Sequence, residues 1–241
     1  ERIFIANNTD QIFFVSKWVK KKFFENLPYV HKNNCEILYP AINPLKKFPK
    51  KKNKIIFTGK LNSSKGYDVF GKAIIKILNM HKDWKALAIG NEPREKFHFK
   101  HANFKILDWV NHKKILNHYK DSAISVVPSK WQEPFGRTAM ESAAAGCATI
   151  TSKKGGLSET FDNKLFINNV NENELFNMIN FLIKNKKIRQ KHQRFNLFNV
   201  KHRLRDKIKK IDTLKSFYLN TNFNFNKGTK LKILHISTFD E

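Results

Sequence analysis

The sequence predicts an α/β protein with a doubly wound parallel sheet and a helical carboxyl-terminal segment. Three observations support this fold class. Short apolar strands alternate with amphipathic helices from residue 55 to residue 167, glycines follow several of these strands or open the helices after them, and the pattern from residue 172 to about 220 is helical and increasingly basic. Strands that alternate with helices favour a parallel sheet with right-handed crossovers.

The first part of the chain contains two short apolar strands around a basic helix. The strands are predicted at residues 12–15 and 36–39, and the helix at residues 16–25. A charged, proline-bearing stretch, PLKKFPKKKNK, follows at residues 44–54 and is typical of a linker. We therefore predict a domain tail at residues 1–45 and a linker at residues 46–54.

The main unit is predicted at residues 55–200. Its strands are expected at residues 55–58, 85–90, 104–107, 124–127, 147–151 and 165–167. The helix after the first strand should bury a stripe made of Val69, Ala73, Ile74, Ile77 and Leu78. Asn111 is a candidate N-cap for the helix that carries Ile115, Leu116 and Tyr119.

The end of the chain changes character twice. A terminal helix is predicted at residues 201–222, and residues 223–241 are predicted to begin a further domain. The basis is KILHIS at residues 232–237, which is typical of the opening strand of an α/β unit. An edge strand of a sheet already present is the alternative, and the sequence leaves both open.

Composition limits the classes of function. The net charge of +26 invites a nucleic-acid interpretation, but the lysines are scattered along the chain as well as clustered, and no basic-aromatic platform accompanies them. Weak attraction to an anionic membrane surface explains the charge better. No apolar run is long enough to span a bilayer, and Cys35 and Cys147 stand alone, without disulfide or zinc spacing. No carboxylate cluster indicates a metal site. We expect a cytoplasmic protein that can associate with the inner face of the membrane.

The most informative stretch is VPSKWQEPFGRTAMESAAAGCATITSKKGGLSE at residues 127–159. Within it, Glu133 falls in the loop after a strand and Glu141 falls just inside the following helix. Both carboxylates are expected to face one crevice at the carboxyl end of the sheet, where open α/β sheets bind ligands.

Several features near this crevice indicate an anionic ligand. The amides of Arg137 and Thr138 are expected to lie free at a helix N-terminus, which suits a phosphate group. Lys60 and Lys65 flank the loop after the first strand and can donate to the same oxygens. Glycine at positions 59 and 136 permits a close approach of the backbone. Since the two glutamates can accept hydrogen bonds from hydroxyl groups, the expected ligand is a nucleotide sugar.

Residues 55–160 resemble the donor-binding domain of retaining glycosyltransferases with the GT-B fold, known as glycosyltransferase family 4 or group 1. The resemblance is carried by residues 127–159 together with FTGKLNSSKG (57–66), LAIGNEP (87–93) and ILDWV (106–110). It implies that the catalytic residue Glu133 contacts the transferred sugar. It also implies that Phe135 and Gly136 offer backbone contacts to that sugar's hydroxyls.

The resemblance assigns the nucleotide side as well. Glu141 is expected on the ribose and Val110 on the base, while Lys65 matches a diphosphate-binding lysine. Lys60 stands where the family often has arginine, so its contact should be weaker. The full diphosphate set is expected to be Gly59, Lys60, Lys65, Arg137 and Thr138.

The activity implied by the resemblance is transfer of a sugar from a nucleoside-diphosphate sugar to an acceptor hydroxyl, with retention, in surface polysaccharide or glycan synthesis. A glycan or lipid-linked acceptor is the expected partner, and no cofactor is expected beyond the donor substrate. Residues 1–43 look like the tail of the acceptor-binding domain. The 241 residues alone are therefore expected to form an incomplete enzyme. The alternatives are a non-catalytic nucleotide-sugar-binding module and a nucleic-acid-binding α/β domain.

Overall fold

The computed structural model describes residues 1–27, 35–162, 164–220 and 233–236. Along the chain the elements are α1 (Arg2–Asn8), β1 (Gln11–Phe14), α2 (Lys17–Phe24), β2 (Cys35–Ile37), β3 (Lys52–Thr58), α3 (Tyr67–Met80), β4 (Lys85–Ile89), β5 (Phe104–Leu107), α4 (His112–Asp121), β6 (Ser122–Val127), α5 (Arg137–Ala144), β7 (Ala148–Ser152), a 3₁₀ turn (Gly156–Glu159), β8 (Phe166–Ile167), α6 (Glu172–Lys184), α7 (Lys186–Asn220) and β9 (Ile233–Ile236).

The larger sheet has six parallel strands in the order β5-β4-β3-β6-β7-β8. The strand order reverses between β3 and β6, which are neighbours in the sheet. This reversal confirms the doubly wound sheet that the sequence predicts. It also leaves a crevice at the carboxyl ends of β3 and β6, where such sheets place their ligands.

Helices cover both faces of this sheet because its strands are apolar on both sides. On β3, Ile55 and Phe57 belong to the core cluster that contains α3 and α6, while Ile56 belongs to the cluster beneath α4. Alternate residues of a strand point to opposite faces, so a continuous apolar run is what a two-sided core needs. The predicted stripe of α3 is buried, and Asn111 caps α4 by accepting a hydrogen bond from the Lys114 amide at 2.9 Å.

One boundary of the predicted linker is wrong. The structure starts β3 at Lys52, so residues 52–54 belong to the sheet. The backbone of Lys54 pairs with Lys85, while the side chain of Lys52 reaches Asp121 at 2.7 Å near the rim. The many lysines in this stretch suggested a linker. The backbone of a strand can nevertheless form its hydrogen bonds while its charged side chains lie at the exposed end of the strand.

The predicted boundary at residue 200 is also wrong, because α7 runs through it without interruption. No glycine or proline breaks the helix between residues 186 and 220. Its first half is attached to the larger sheet, where the side chains of Gln193 and Asn196 donate to the carbonyls of Ala123 and Cys147, each at 2.8 Å.

The second half of α7 reaches the amino-terminal part of the chain. Lys210 donates to the Ile37 carbonyl at 2.8 Å and forms an ion pair with Glu36 at 2.6 Å. The helix therefore packs back across the first segment.

The smaller sheet has three parallel strands in the order β2-β1-β9. The segment predicted to begin a further domain pairs with β1, so its described residues act as an edge strand of this smaller sheet. That is the alternative the sequence left open. Residues 223–232 and 237–241 lie outside the described part, and their assignment to a further domain stays a prediction.

None of the helices in the described ranges is both long and apolar enough to cross a membrane.

Candidate active site

A cavity of about 260 Å³ opens at the carboxyl ends of β3 and β6, where the strand order reverses. Most of the predicted sugar and diphosphate residues line it: Gly59, Lys65, Glu133, Phe135, Gly136, Arg137 and Thr138. The remaining lining residues are Phe57, Thr58, Val127 and Ser129. The cavity thus brings residues from three separate stretches of the chain to one place.

The main polar contact in the cavity joins Lys65 to Glu133. The Lys65 ammonium lies 2.6 Å from Glu133 Oε1, and the two side chains are 31% and 13% exposed. Neither residue is near the other in sequence, since 68 positions separate them. A cation and a carboxylate are therefore held together in a partly dry cleft, where their attraction is stronger than in open water.

The loop that carries Lys65 is shaped by Asn62, a buried residue that sequence reasoning did not single out. Its side-chain oxygen accepts hydrogen bonds from the Lys65 amide at 3.1 Å and the Ser64 hydroxyl at 3.0 Å. Such Asx-type bonds fix a turn. The polar run NSSKG is the signal that could have identified it.

The loop that carries Glu133 rests on the Gly155-Gly156 turn. The Gly156 amide donates to the Glu133 carbonyl at 2.6 Å, and Gly155 has a φ of 57°. A β-carbon at Gly155 would lie 2.4 Å from the same carbonyl oxygen, and one at Gly156 would lie 2.1 Å from the Pro134 carbonyl oxygen. Only glycine fits at both places, so the turn holds the backbone of Glu133 in position.

The cavity also contains an uncapped helix start. No side chain caps α5, and its first intrahelical bond is donated by the Met140 amide to the Gly136 carbonyl at 2.9 Å. The amides of Arg137 and Thr138 precede that bond and therefore have no partner within the helix. This is the arrangement that the sequence predicted for an anion.

Glu141 lies outside the set of residues that line the cavity, although it is close to it. Its carboxylate is 8% exposed, lies 3.0 Å from His112 Nε2 and is 3.9 Å from the guanidinium of Arg137. Because Arg137 does line the cavity, Glu141 adjoins it through that residue. His112 was not predicted, and no signal in its local sequence distinguishes it.

Two predicted residues stand apart from the cavity. Lys60 is exposed and is not among the lining residues, so only one of the two expected lysines faces the cleft. Val110 is half-buried and packs against the apolar cluster around Tyr119. A contact from its backbone to a base stays a prediction. Thr58, which does line the cavity, was not predicted and is hydrogen-bonded to the buried Tyr119 hydroxyl.

The family model described as "Glycosyl transferases group 1" matches residues 40–196, more than half of the chain. The chain belongs to the group 1 glycosyltransferases. Among individual relatives of this group 1 glycosyltransferase, an uncharacterized 42.6 kDa protein in the cps region of Klebsiella pneumoniae is 31% identical over 107 residues, which is 43% of this chain and 27% of that protein.

Solved structures support the same GT-B fold. A glycosyltransferase from Rickettsia africae superposes with a TM-score of 0.71 at 21% identity, covering 88% of this chain and 64% of that one. The Anabaena protein HepE, in complex with UDP-glucose, superposes with a TM-score of 0.66 at 14% identity, covering 88% of this chain and 66% of that one. The chain spans between about a quarter and a half of the length of the curated relatives it matches.

Proposed function

We propose that this group 1 glycosyltransferase chain binds a nucleoside-diphosphate sugar and is the donor-side part of an enzyme that transfers the sugar, with retention, to an acceptor hydroxyl. One observation carries the proposal. A lysine and a glutamate, matched by the family resemblance to the diphosphate and the sugar, meet at 2.6 Å in a cavity at the reversal point of the sheet.

The diphosphate is assigned to Lys65 and the start of α5. As the bond between the anomeric carbon and the diphosphate oxygen breaks, negative charge grows on the departing diphosphate. An ammonium group and unpaired helix amides stabilise that charge without rearranging. A single donor of this kind typically lowers the activation free energy by about 3 kcal/mol. Only Lys65 is assigned this role, since Lys60 is not among the residues that line the cavity.

Glu133 is assigned to the transferred sugar. In the free protein it is paired with Lys65, so donor binding requires an exchange of partners. The diphosphate replaces Glu133 as the partner of the Lys65 ammonium group, and the Glu133 carboxylate then accepts hydrogen bonds from sugar hydroxyls. Retention follows from the family resemblance, in which the incoming hydroxyl attacks from the face that the diphosphate leaves and a phosphate oxygen accepts its proton.

The biological setting is proposed from the comparisons and the charge. The relative in the cps region of Klebsiella pneumoniae supports surface polysaccharide or glycan synthesis. We propose a glycan or lipid-linked acceptor, as the family resemblance implies. The UDP-glucose complex of HepE supports a nucleotide-sugar donor. We propose a cytoplasmic location at the inner face of the membrane, where a net charge of +26 favours anionic lipid.

A paired lysine experiment tests the diphosphate assignment. We expect Lys65→Ala to weaken nucleoside-diphosphate binding at least about tenfold, measured by calorimetry, because a charge-assisted contact is lost. Lys60→Ala is the matched control from the same loop and should change the affinity by less than about twofold. Equal effects of the two substitutions would contradict the assignment.

A thermal-shift screen identifies the donor. The protein is heated with UDP, GDP, ADP and TDP and with their sugars, since a ligand that binds only the folded state raises the midpoint of unfolding. We expect one base to stabilise selectively. Stabilisation by none of them would argue against nucleotide-sugar binding altogether.

A further inference from the structure

A second cavity lies where the second half of α7 crosses the edge of the smaller sheet. Its volume is about 440 Å³, and it is enclosed by α7, the carboxyl end of β2 and the first residue of α2. It shares no lining residue with the donor cavity. The proposed transfer reaction does not use it.

The walls of this cavity are apolar on one side and cationic on the other. Residues 37–39 supply two aliphatic side chains and the ring of Tyr39. From α7, the lining residues Arg203, Asp206, Lys207 and Lys210 are spaced as neighbours on one face of the helix. Lys17 adds a further cation from the start of α2.

Most of these cations lack a carboxylate partner. Lys210 is paired with Glu36 at 2.6 Å. Within the part of the chain that the structure describes, the side-chain nitrogens of Lys17, Arg203 and Lys207 have no carboxylate oxygen within 4.0 Å. Asp206 is the single acidic residue that lines the cavity. The cavity therefore has an excess of positive charge in a partly enclosed space.

The strongest indication of a ligand in this cavity comes from Arg203. Its guanidinium lies over the Tyr39 ring at 4.8 Å, and its Nη1 atom is buried without a hydrogen-bond partner among the described residues. A buried donor without a partner costs free energy that a bound acceptor would recover. A stacked guanidinium is also pre-organised to bind an oxyanion through two parallel hydrogen bonds.

We propose that this cavity binds a phosphate monoester whose organic part rests on Ile37, Leu38 and Tyr39. A doubly charged oxyanion matches the three unpaired cations better than a carboxylate does. Two sources share this chemistry: a soluble phosphorylated molecule and the headgroup of a phosphate-bearing lipid.

Calorimetry with phenyl phosphate tests the site, since this probe combines a phosphate with an apolar ring. The Lys65→Ala background is used so that the donor cavity does not contribute. We expect Lys207→Met to weaken binding at least about fivefold. Lys209→Met is the matched control, because Lys209 is exposed on the same helix and does not line the cavity. Arg203→Gln should act in the same direction as Lys207→Met.

Flotation with phosphatidylcholine vesicles, with and without phosphatidic acid, distinguishes the two sources. If Lys207→Met no longer floats with phosphatidic acid vesicles while Lys209→Met still does, the ligand is assigned as the lipid headgroup. Sensitivity to Lys207→Met in calorimetry alone would assign a soluble ligand. If the two lysine variants bind equally well in both assays, or if no saturable binding is seen in either, the proposal is overturned.

Discussion

Glu133 and Glu159 both adjoin the Gly155-Gly156 turn, yet their side chains are held in different ways. Glu133 faces the donor cavity and contacts one flexible ammonium group, that of Lys65. Glu159 faces the amino-terminal segment, where its carboxylate accepts from the amides of Lys17 at 2.8 Å and Trp18 at 2.9 Å. It also accepts from the Tyr39 hydroxyl at 2.9 Å.

The difference concerns whether a ligand can replace the partner. A diphosphate can take the place of Glu133 on Lys65, since both are anions and the lysine side chain can move. A ligand in the donor cavity cannot replace the backbone amides of α2 as partners of Glu159. The Glu159 carboxylate acts as a helix cap supplied from a distant segment. One carboxylate is therefore available for chemistry and the other joins two parts of the fold.

The largest expected effect is on turnover. In the proposed enzyme, Glu133→Gln should lower the rate of sugar transfer by about 10²–10³, because an interaction made with the reacting sugar is lost. The midpoint of thermal unfolding should change little, since among the described residues the one partner of the Glu133 side chain is the Lys65 ammonium, whose side chain is 31% exposed. Turnover that stays within tenfold of the parent would favour the alternative of a non-catalytic nucleotide-sugar-binding module.

The next effect is on stability and should appear at Glu159. We expect Glu159→Gln to lower the free energy of unfolding by about 2 kcal/mol, because hydrogen bonds from two amides to a charged acceptor are weakened. Urea unfolding of Glu159→Gln and Glu133→Gln provides the measurement and the matched control. Equal losses of stability in the two variants would remove the distinction between the two glutamates.

Local sequence pattern predicted most of the larger sheet because its interactions are local or periodic. The stripe of α3 and the cap at Asn111 are written in neighbouring residues, and the structure confirms both. The start of β3 and the continuity of α7 were missed for a shared reason. In both cases basic side chains dominated the pattern, whereas the backbone pairing of Lys54 and the anchoring of Asn196 depend on distant partners.

The site shows the same limit. Motif resemblance placed Glu133 and Lys65 near each other, but not the direct ion pair between them, since 68 positions separate the two residues. The contact between His112 and Glu141, and the attachment of Glu159 to α2, are likewise made by residues far apart in the chain. Lys60 does not line the cavity, because a charge beside a loop does not fix where its long side chain points, and its contact with a diphosphate stays a prediction.

A smaller effect tests the exchange of partners on Lys65. Glu133→Gln should raise the affinity for a free nucleoside diphosphate by at least about threefold, because Lys65 no longer has a competing anion and the cavity loses one negative charge. The same substitution should weaken binding of the complete nucleotide sugar relative to the free diphosphate. Calorimetry with both ligands gives the ratio, and a loss of diphosphate affinity in Glu133→Gln would contradict the exchange.

The remaining effect concerns pH and the Tyr39 hydroxyl, which donates a hydrogen bond to Glu159. Burial, followed by this hydrogen bond, raises the pKa of Tyr39 from 10.0 to about 12. Between these values the folded protein keeps a proton that the unfolded chain has lost, so the stability that Tyr39 contributes is full below pH 10 and declines as the pH rises toward 12. Tyr39→Phe should therefore cost about 1 kcal/mol at neutral pH, where the hydrogen bond is lost.

The difference in the free energy of unfolding between Tyr39→Phe and the parent should be smaller at about pH 10.5, because phenylalanine has no proton to lose. Urea unfolding of the two proteins at neutral pH and at about pH 10.5 measures the change in the difference. A difference that stays constant or widens with pH would show that the Tyr39 hydroxyl is not coupled to Glu159. The attachment of Glu159 to the amino-terminal segment would then depend on the two α2 amides alone. The contrast between the two glutamates would likewise depend on backbone contacts only.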